Sequence, residues 1–102
     1  MENTVRQETI PERTITITGE HAELASPEEI AAGISAAAEV FARNGVDPLA
    51  CAAAIAKLER DELLSREEAL LCVIWDHAED AAFRAVTLGW LSRAVDIRIA
   101  VS

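Results

Sequence analysis

Apolar residues recur along this chain with two different periods, and the changes of period divide it into elements. From Glu12 to Thr18 threonine and isoleucine alternate, which predicts a short half-buried strand with Ile15 and Ile17 on its apolar face and Gly19 ending it. The other end does the same. Val95, Ile97, Ile99 and Val101 alternate with Asp96, Arg98, Ala100 and Ser102, predicting a second strand with one face on a core. Between them the spacing shifts to three and four. Ile30, Ile34, Ala37 and Phe41 form one helical stripe, and the stretch from Phe83 to Leu91, with Val86, Leu88 and Trp90, is apolar on nearly every side and reads as a central helix.

Local start and stop signals bound the helices. Ser26-Pro27-Glu28-Glu29 offers a capping serine, a proline where a missing amide costs nothing and a glutamate three residues after the cap; Asn44-Gly45 ends that helix. Asp47-Pro48 opens a second helix running to about Arg60, with Leu49, Ala52, Ile55, Ala56 and Leu58 as its buried side. Its small alanines predict close helix packing. Ser65-Arg66-Glu67-Glu68 is a further capping box and opens a third helix. Past Trp75 two continuations are open. Residues 66–93 form one helix, or Asp76-His77-Ala78-Glu79 caps a new one with a break near Ala78 to Asp80, and the cap-like signal favours the break.

These elements predict an α+β, mainly α fold: three to four packed helices with two short strands formed by the N- and C-terminal segments. A lone strand lacks hydrogen-bond partners, so the two are expected to pair with each other. Residues 1–11 read as a flexible arm, and 12–102 as a single compact domain.

The chain has 102 residues and 51% hydrophobic composition, enough for one domain burying roughly two thirds of its unfolded surface. Its formal net charge is −9, from 18 acidic and 9 basic residues, and both halves are acidic. Binding to a phosphate backbone needs lysines and arginines that displace counterions, so direct nucleic-acid contact over a broad face is excluded. No charge-free apolar stretch reaches the length of a bilayer span, so no membrane role is expected. Cys51 and Cys72 lie in apolar helical patterns without metal or redox spacing and read as small buried hydrophobes; with no signal-like apolar run near the start, a cytoplasmic location is expected.

The acidity concentrates in a belt of Glu59, Asp61, Glu62, Glu67, Glu68, Asp76, Glu79 and Asp80, interrupted by Arg60 and Arg66. Helix-start preferences account for Glu67 and Glu68, and Glu59 sits between Lys57 and Arg60. Five carboxylates remain as candidate partner-binding residues: Asp61, Glu62, Asp76, Glu79 and Asp80. Their field favours a cationic partner, a basic protein or a ribonucleoprotein complex. No catalytic residue, metal ligand or cofactor is assigned. His77 falls on the stripe of Leu70, Ile74 and Ala81, which predicts a partly buried histidine held by a neighbouring carboxylate, and His21 sits in a turn. Gly19, Gly33, Gly45 and Gly89 are isolated and form no phosphate loop; Gly33 or Gly89 would let helices approach closely, within one chain or between two, and the oligomeric state stays open.

Two resemblances follow. Glu59-x-x-Glu62 followed by Asp76-x-x-Glu79 resembles, loosely, the paired acidic motif of the all-helical nucleotide pyrophosphohydrolases, with the second pair reversed in residue type and Lys57 the only lysine. That resemblance implies a magnesium-dependent hydrolase. In size, acidity and helical character the whole chain is similar to the small inhibitor proteins of phages, anti-CRISPR proteins among them. This second resemblance implies a non-enzymatic protein that occupies a basic, nucleic-acid-binding surface of a CRISPR surveillance complex, with Asp61, Glu62, Asp76, Glu79 and Asp80 meeting its arginines and lysines. Tight binding would also need an apolar anchor; Trp75 is a candidate, although a tryptophan in such a pattern is more often core. An antitoxin or immunity protein against a basic toxin would use the same physics.

Overall fold

In a computed structural model the described residues are 13–19, 22–87 and 97–102. They form strand β1 (Ile15–Thr18), a single 3-10 turn (Ala22–Leu24), helices α1 (Pro27–Asn44), α2 (Pro48–Glu59) and α3 (Arg66–Thr87), and strand β2 (Arg98–Val101). The architecture is mainly α with a small two-stranded sheet. The arm of residues 1–11, Leu88, Trp90 and the ends of both expected strands at 12 and 95–96 lie outside the described residues, as does His21.

The helices begin and end where the side chains can satisfy backbone groups. At α1 the Ser26 hydroxyl accepts the Glu29 N–H at 3.1 Å, and the Glu29 carboxylate accepts the Ser26 N–H at 2.8 Å. Ser65 and Glu68 repeat this box at α3, at 3.1 and 2.8 Å. Asp47 caps α2 by accepting the Leu49 N–H at 3.0 Å. The same carboxylate accepts two hydrogen bonds from Arg13, from Nε at 2.9 Å and Nη2 at 2.8 Å, so the fork ties the start of β1 to the start of α2. Those bonds hold the Asp47 carboxyl below its usual range, the Arg13 guanidinium being the main cause and the Leu49 amide the next.

α1 lies chiefly against α3. Gly33 sits where they approach: a Cβ there would stand 2.6 Å from Val86 Cγ2, 3.0 Å from Ile17 Cδ1 and 3.3 Å from the Ala82 carbonyl oxygen. The close approach is therefore made within the chain. Phe41 of α1 and Trp75 of α3 meet at the centre, ring centroids 6.1 Å apart and tilted by 56°. Ala37, Val40, Cys51, Ala78 and Ala82 fill in around them, and Val86 is buried farther along α3. The side chains buried between the helices are thus mostly short, and on α2 they are Cys51 and Ala54 rather than the Ala52 and Ala56 expected from the sequence.

β1 and β2 pair antiparallel, with Ile15 opposite Val101 and Ile17 opposite Ile99. Reciprocal bonds between Thr14 and Ser102, at 2.9 and 3.0 Å, extend the ladder by one residue. Ile15, Ile97 and Ile99 are buried, and Ile17 and Val101 are partly covered, so the apolar phase of both strands faces the helices.

Three local expectations need correction. α3 is continuous from Arg66 to Thr87, without a break at Ala78 to Asp80. Ala78 is fully buried against the core, and Asp80 pairs with Arg84 one turn on at 3.0 Å, so tertiary packing and a helical ion pair hold a segment whose sequence also reads as a cap. Leu49 and Leu58, assigned to the buried side of α2, are exposed: the buried face is centred on Cys51, Ala54 and Ile55, Leu49 lies round the helix from it, and Leu58 comes at the helix end. His77 is exposed too. Of its stripe only Ile74 and Ala81 are partly buried against the core; Leu70 is 57% exposed, so the stripe runs along the margin of the buried face and His77 falls on its open side.

Candidate functional site

The C-terminal end of α2 carries an unusual density of carboxylates. Glu59, Asp61 and Glu62 stand where the helix dipole presents its negative end, so helix preference does not explain them. The α2 terminus has the same bonding as that of α1. After α1 the Gly45 N–H reaches the Ala42 carbonyl and the Val46 N–H reaches Phe41; after α2 the Asp61 N–H reaches Leu58 and the Glu62 N–H reaches Lys57, both at 3.0 Å. Such a terminus places its pivotal residue in the left-handed region, which glycine adopts without strain. α1 uses Gly45 there, at φ 66°, whereas α2 uses Asp61, at φ 60°. Asp61 is exposed and in no ion pair among the described residues.

The bases of this region are spent on other acids. Lys57 Nζ lies 2.9 Å from Glu68 and Arg60 Nε lies 2.6 Å from Glu62, and these bonds hold both carboxyls below their ordinary range. Glu59, flanked by those bases in sequence, is thus left uncompensated by either. It lines a cleft of about 300 Å³ together with Ile55 of α2, Trp75, Asp76 and Glu79 of α3, and Arg98 and Ile99 of β2. Trp75 is only 7% exposed, so it belongs to the core and forms the floor of the cleft.

The five residues singled out from the sequence therefore fall into three places. Asp61 and Glu62 lie at the α2–α3 connection; Asp76 and Glu79 lie at the cleft; Asp80 lies on the outer side of α3, paired to Arg84. Glu59 joins the second group, and chain proximity to Lys57 and Arg60 concealed it. The pairs Glu59-x-x-Glu62 and Asp76-x-x-Glu79 do not share one site, because Glu62 is turned to Arg60 while the other three line the cleft. Among the described residues no three His, Cys, Asp or Glu side chains converge to hold a metal ion.

Glu79 also has a structural task. Its Oε2 accepts the Ile99 N–H at 3.0 Å, on the edge of β2 that does not face β1, and so binds the sheet to α3. Removing that acceptor strands an amide at a residue only 5% exposed. Glu79→Ala is expected to cost about 1–3 kcal/mol in urea denaturation and Glu79→Gln clearly less, since the amide oxygen still accepts. Equal stability of Glu79→Ala and the unmodified chain would show that the bond contributes nothing.

The two thiols take no part in the cleft. Cys51 and Cys72 are buried and unbridged, and burial pushes the Cys51 thiol up to about 11 and raises that of Cys72. Among the described residues no helix is long and apolar enough to cross a membrane. Comparison with protein-family models, with curated proteins and with solved structures finds no match.

Proposed function

We propose that this chain is a non-enzymatic acidic protein that inhibits by binding a basic, nucleic-acid-binding partner, in the manner of an anti-CRISPR protein that blocks a CRISPR surveillance complex. The observation that carries this reading is Asp61. An aspartate held at positive φ, where Gly45 serves the equivalent turn of α1, costs on the order of 1 kcal/mol and gains no ion pair in return among the described residues. A strained residue that keeps an exposed charge is best explained by what the charge meets. Glu59 and Asp76 add exposed carboxylates on the neighbouring cleft, so the acidic field extends from the α2 terminus along α3. Glu62, Glu79 and Asp80 contribute charge to that field, although each is also engaged within the chain. Carboxylates stand in for phosphates on a surface evolved for nucleic acid, and they mainly raise the association rate and fix the register of docking.

The turn supplies its own test. Asp61→Gly relieves the strain and removes the charge, so it is expected to raise thermal stability while weakening binding to a purified surveillance complex about tenfold or more. Asp61→Asn, which tolerates the same backbone, should weaken binding without the full gain in stability. Reversal of Glu59, Asp61 and Asp76 to lysine should in addition flatten the salt dependence between about 50 and about 200 mM. Binding that is unchanged in affinity and salt slope would sink the proposal.

A further inference from the structure

The outer side of α3 repeats with spacings of four and three through Arg66, Leu70, Val73, His77, Asp80 and Arg84. This is the period of a helix that packs along another helix. Leu70 is 57% exposed and Val73 50%, and no described element covers them. A monomeric surface scatters single apolar residues, but here two large ones lie on successive turns with a charge set on either side.

We propose that this face is a two-fold interface at which two copies of the chain pair through antiparallel α3 helices. The order of charges along the face matches such an axis. Arg66 and Asp80 are placed symmetrically about Val73, so a two-fold axis through Val73 sets Arg66 of each copy beside Asp80 of the other. The apolar pair then lies between two opposite-charge pairs. Among the described residues Arg66 is in no ion pair. Asp80 uses Oδ2 for Arg84 at 3.0 Å, with half its side chain still exposed, and its second oxygen can accept from Arg66 of the other copy. A parallel pairing lacks this match, since it sets Arg66 against Arg66 and Asp80 against Asp80. The 22 residues of α3 extend about 33 Å, and a single helix face of that length gives an interface at the small end of the range, hence a reversible dimer. Asp61 and Glu59 lie outside the face, and the inference does not rest on the proposed partner.

Sedimentation velocity of the full chain from about 1 to about 500 µM tests the proposal, with far-UV circular dichroism checking that each variant is folded. The expected result is a concentration-dependent monomer–dimer equilibrium. Leu70→Glu and Val73→Glu, at exposed positions, should each weaken it about tenfold or more while leaving the melting temperature unchanged. Arg66→Asp and Asp80→Arg should each weaken the dimer, and the two together should restore it by reforming the pair in reverse. A monomer at the highest concentration overturns the interface. So does a dimer indifferent to both glutamate variants, and losses from the two charge reversals that simply add overturn the antiparallel register.

Discussion

Phe41→Ala is expected to destabilise the chain by about 3–5 kcal/mol and to lower its melting temperature by at least about 15 °C. Among the described residues Phe41, 2% exposed, is the largest side chain buried to that degree, and its removal leaves a cavity that its packed neighbours close only in part. The helices contribute mostly small buried side chains to the surrounding core, Ala37, Val40, Cys51, Ala78 and Ala82, with Trp75, Ile15 and Ile99 as its larger ones. The ring contact with Trp75 at 6.1 Å is lost as well, and tryptophan emission should shift to the red as water gains access. Against a total stability of about 5–15 kcal/mol for a domain of this size, the loss is a large fraction of the whole and takes most of it at the low end of that range. Thermal and urea denaturation measure the effect. A loss below about 1 kcal/mol would mean that the α1–α3 contact is not organised around this ring.

Gly33→Ala is expected to destabilise the chain as well, despite adding a better helix former. Alanine would gain about 1 kcal/mol in helix propensity. Its Cβ, however, would stand 2.6 Å from a methyl of Val86, a side chain with no exposed surface, and 3.3 Å from the backbone oxygen of Ala82. Val86 has no room to turn aside, and Ala82 cannot move without its helix. The helices must separate, which costs about 1–3 kcal/mol or more and outweighs the propensity gain. Val86→Ala removes the nearest obstacle, so the double variant should be more stable than the sum of the two single losses predicts by about 1 kcal/mol. Strict additivity in urea denaturation would show that the clash lies elsewhere.

What could be read from the sequence was mostly what depends on neighbours in the chain. Both serine–glutamate boxes, the Asp47-Pro48 start and the Gly45 stop were legible because their hydrogen bonds close within a few residues. The pairing of the two strands was legible for a different reason: with two candidates, each could satisfy its amides only with the other. The break expected in α3 failed because Asp76-His77-Ala78-Glu79 carries cap-forming residues whose actual partners are remote. Ala78 faces the core and Glu79 faces Ile99, twenty residues farther along the chain. Glu59 was discounted by the same kind of error. Its sequence neighbours Lys57 and Arg60 bond to Glu68 and Glu62, the first a choice fixed only once α2 and α3 pack, the second made in the left-handed turn that ends α2. The exposed acidity at the end of α2 was legible, but the left-handed backbone of Asp61 was not, since aspartate there gives no glycine-like signal.

The ladder between β1 and β2 also bears on the order of folding. It joins residues from nearly opposite ends of the described chain, whereas α2 and α3 follow one another across a short connection. Closing the long loop requires the chain to surrender much of its configurational entropy before four residue pairs can repay it. The helices have local contacts and form on a faster timescale. The helical layer should therefore assemble first and present the surface on which the strands zip together, making the sheet a late clasp and its outer residues ones whose replacement speeds unfolding more than it slows folding.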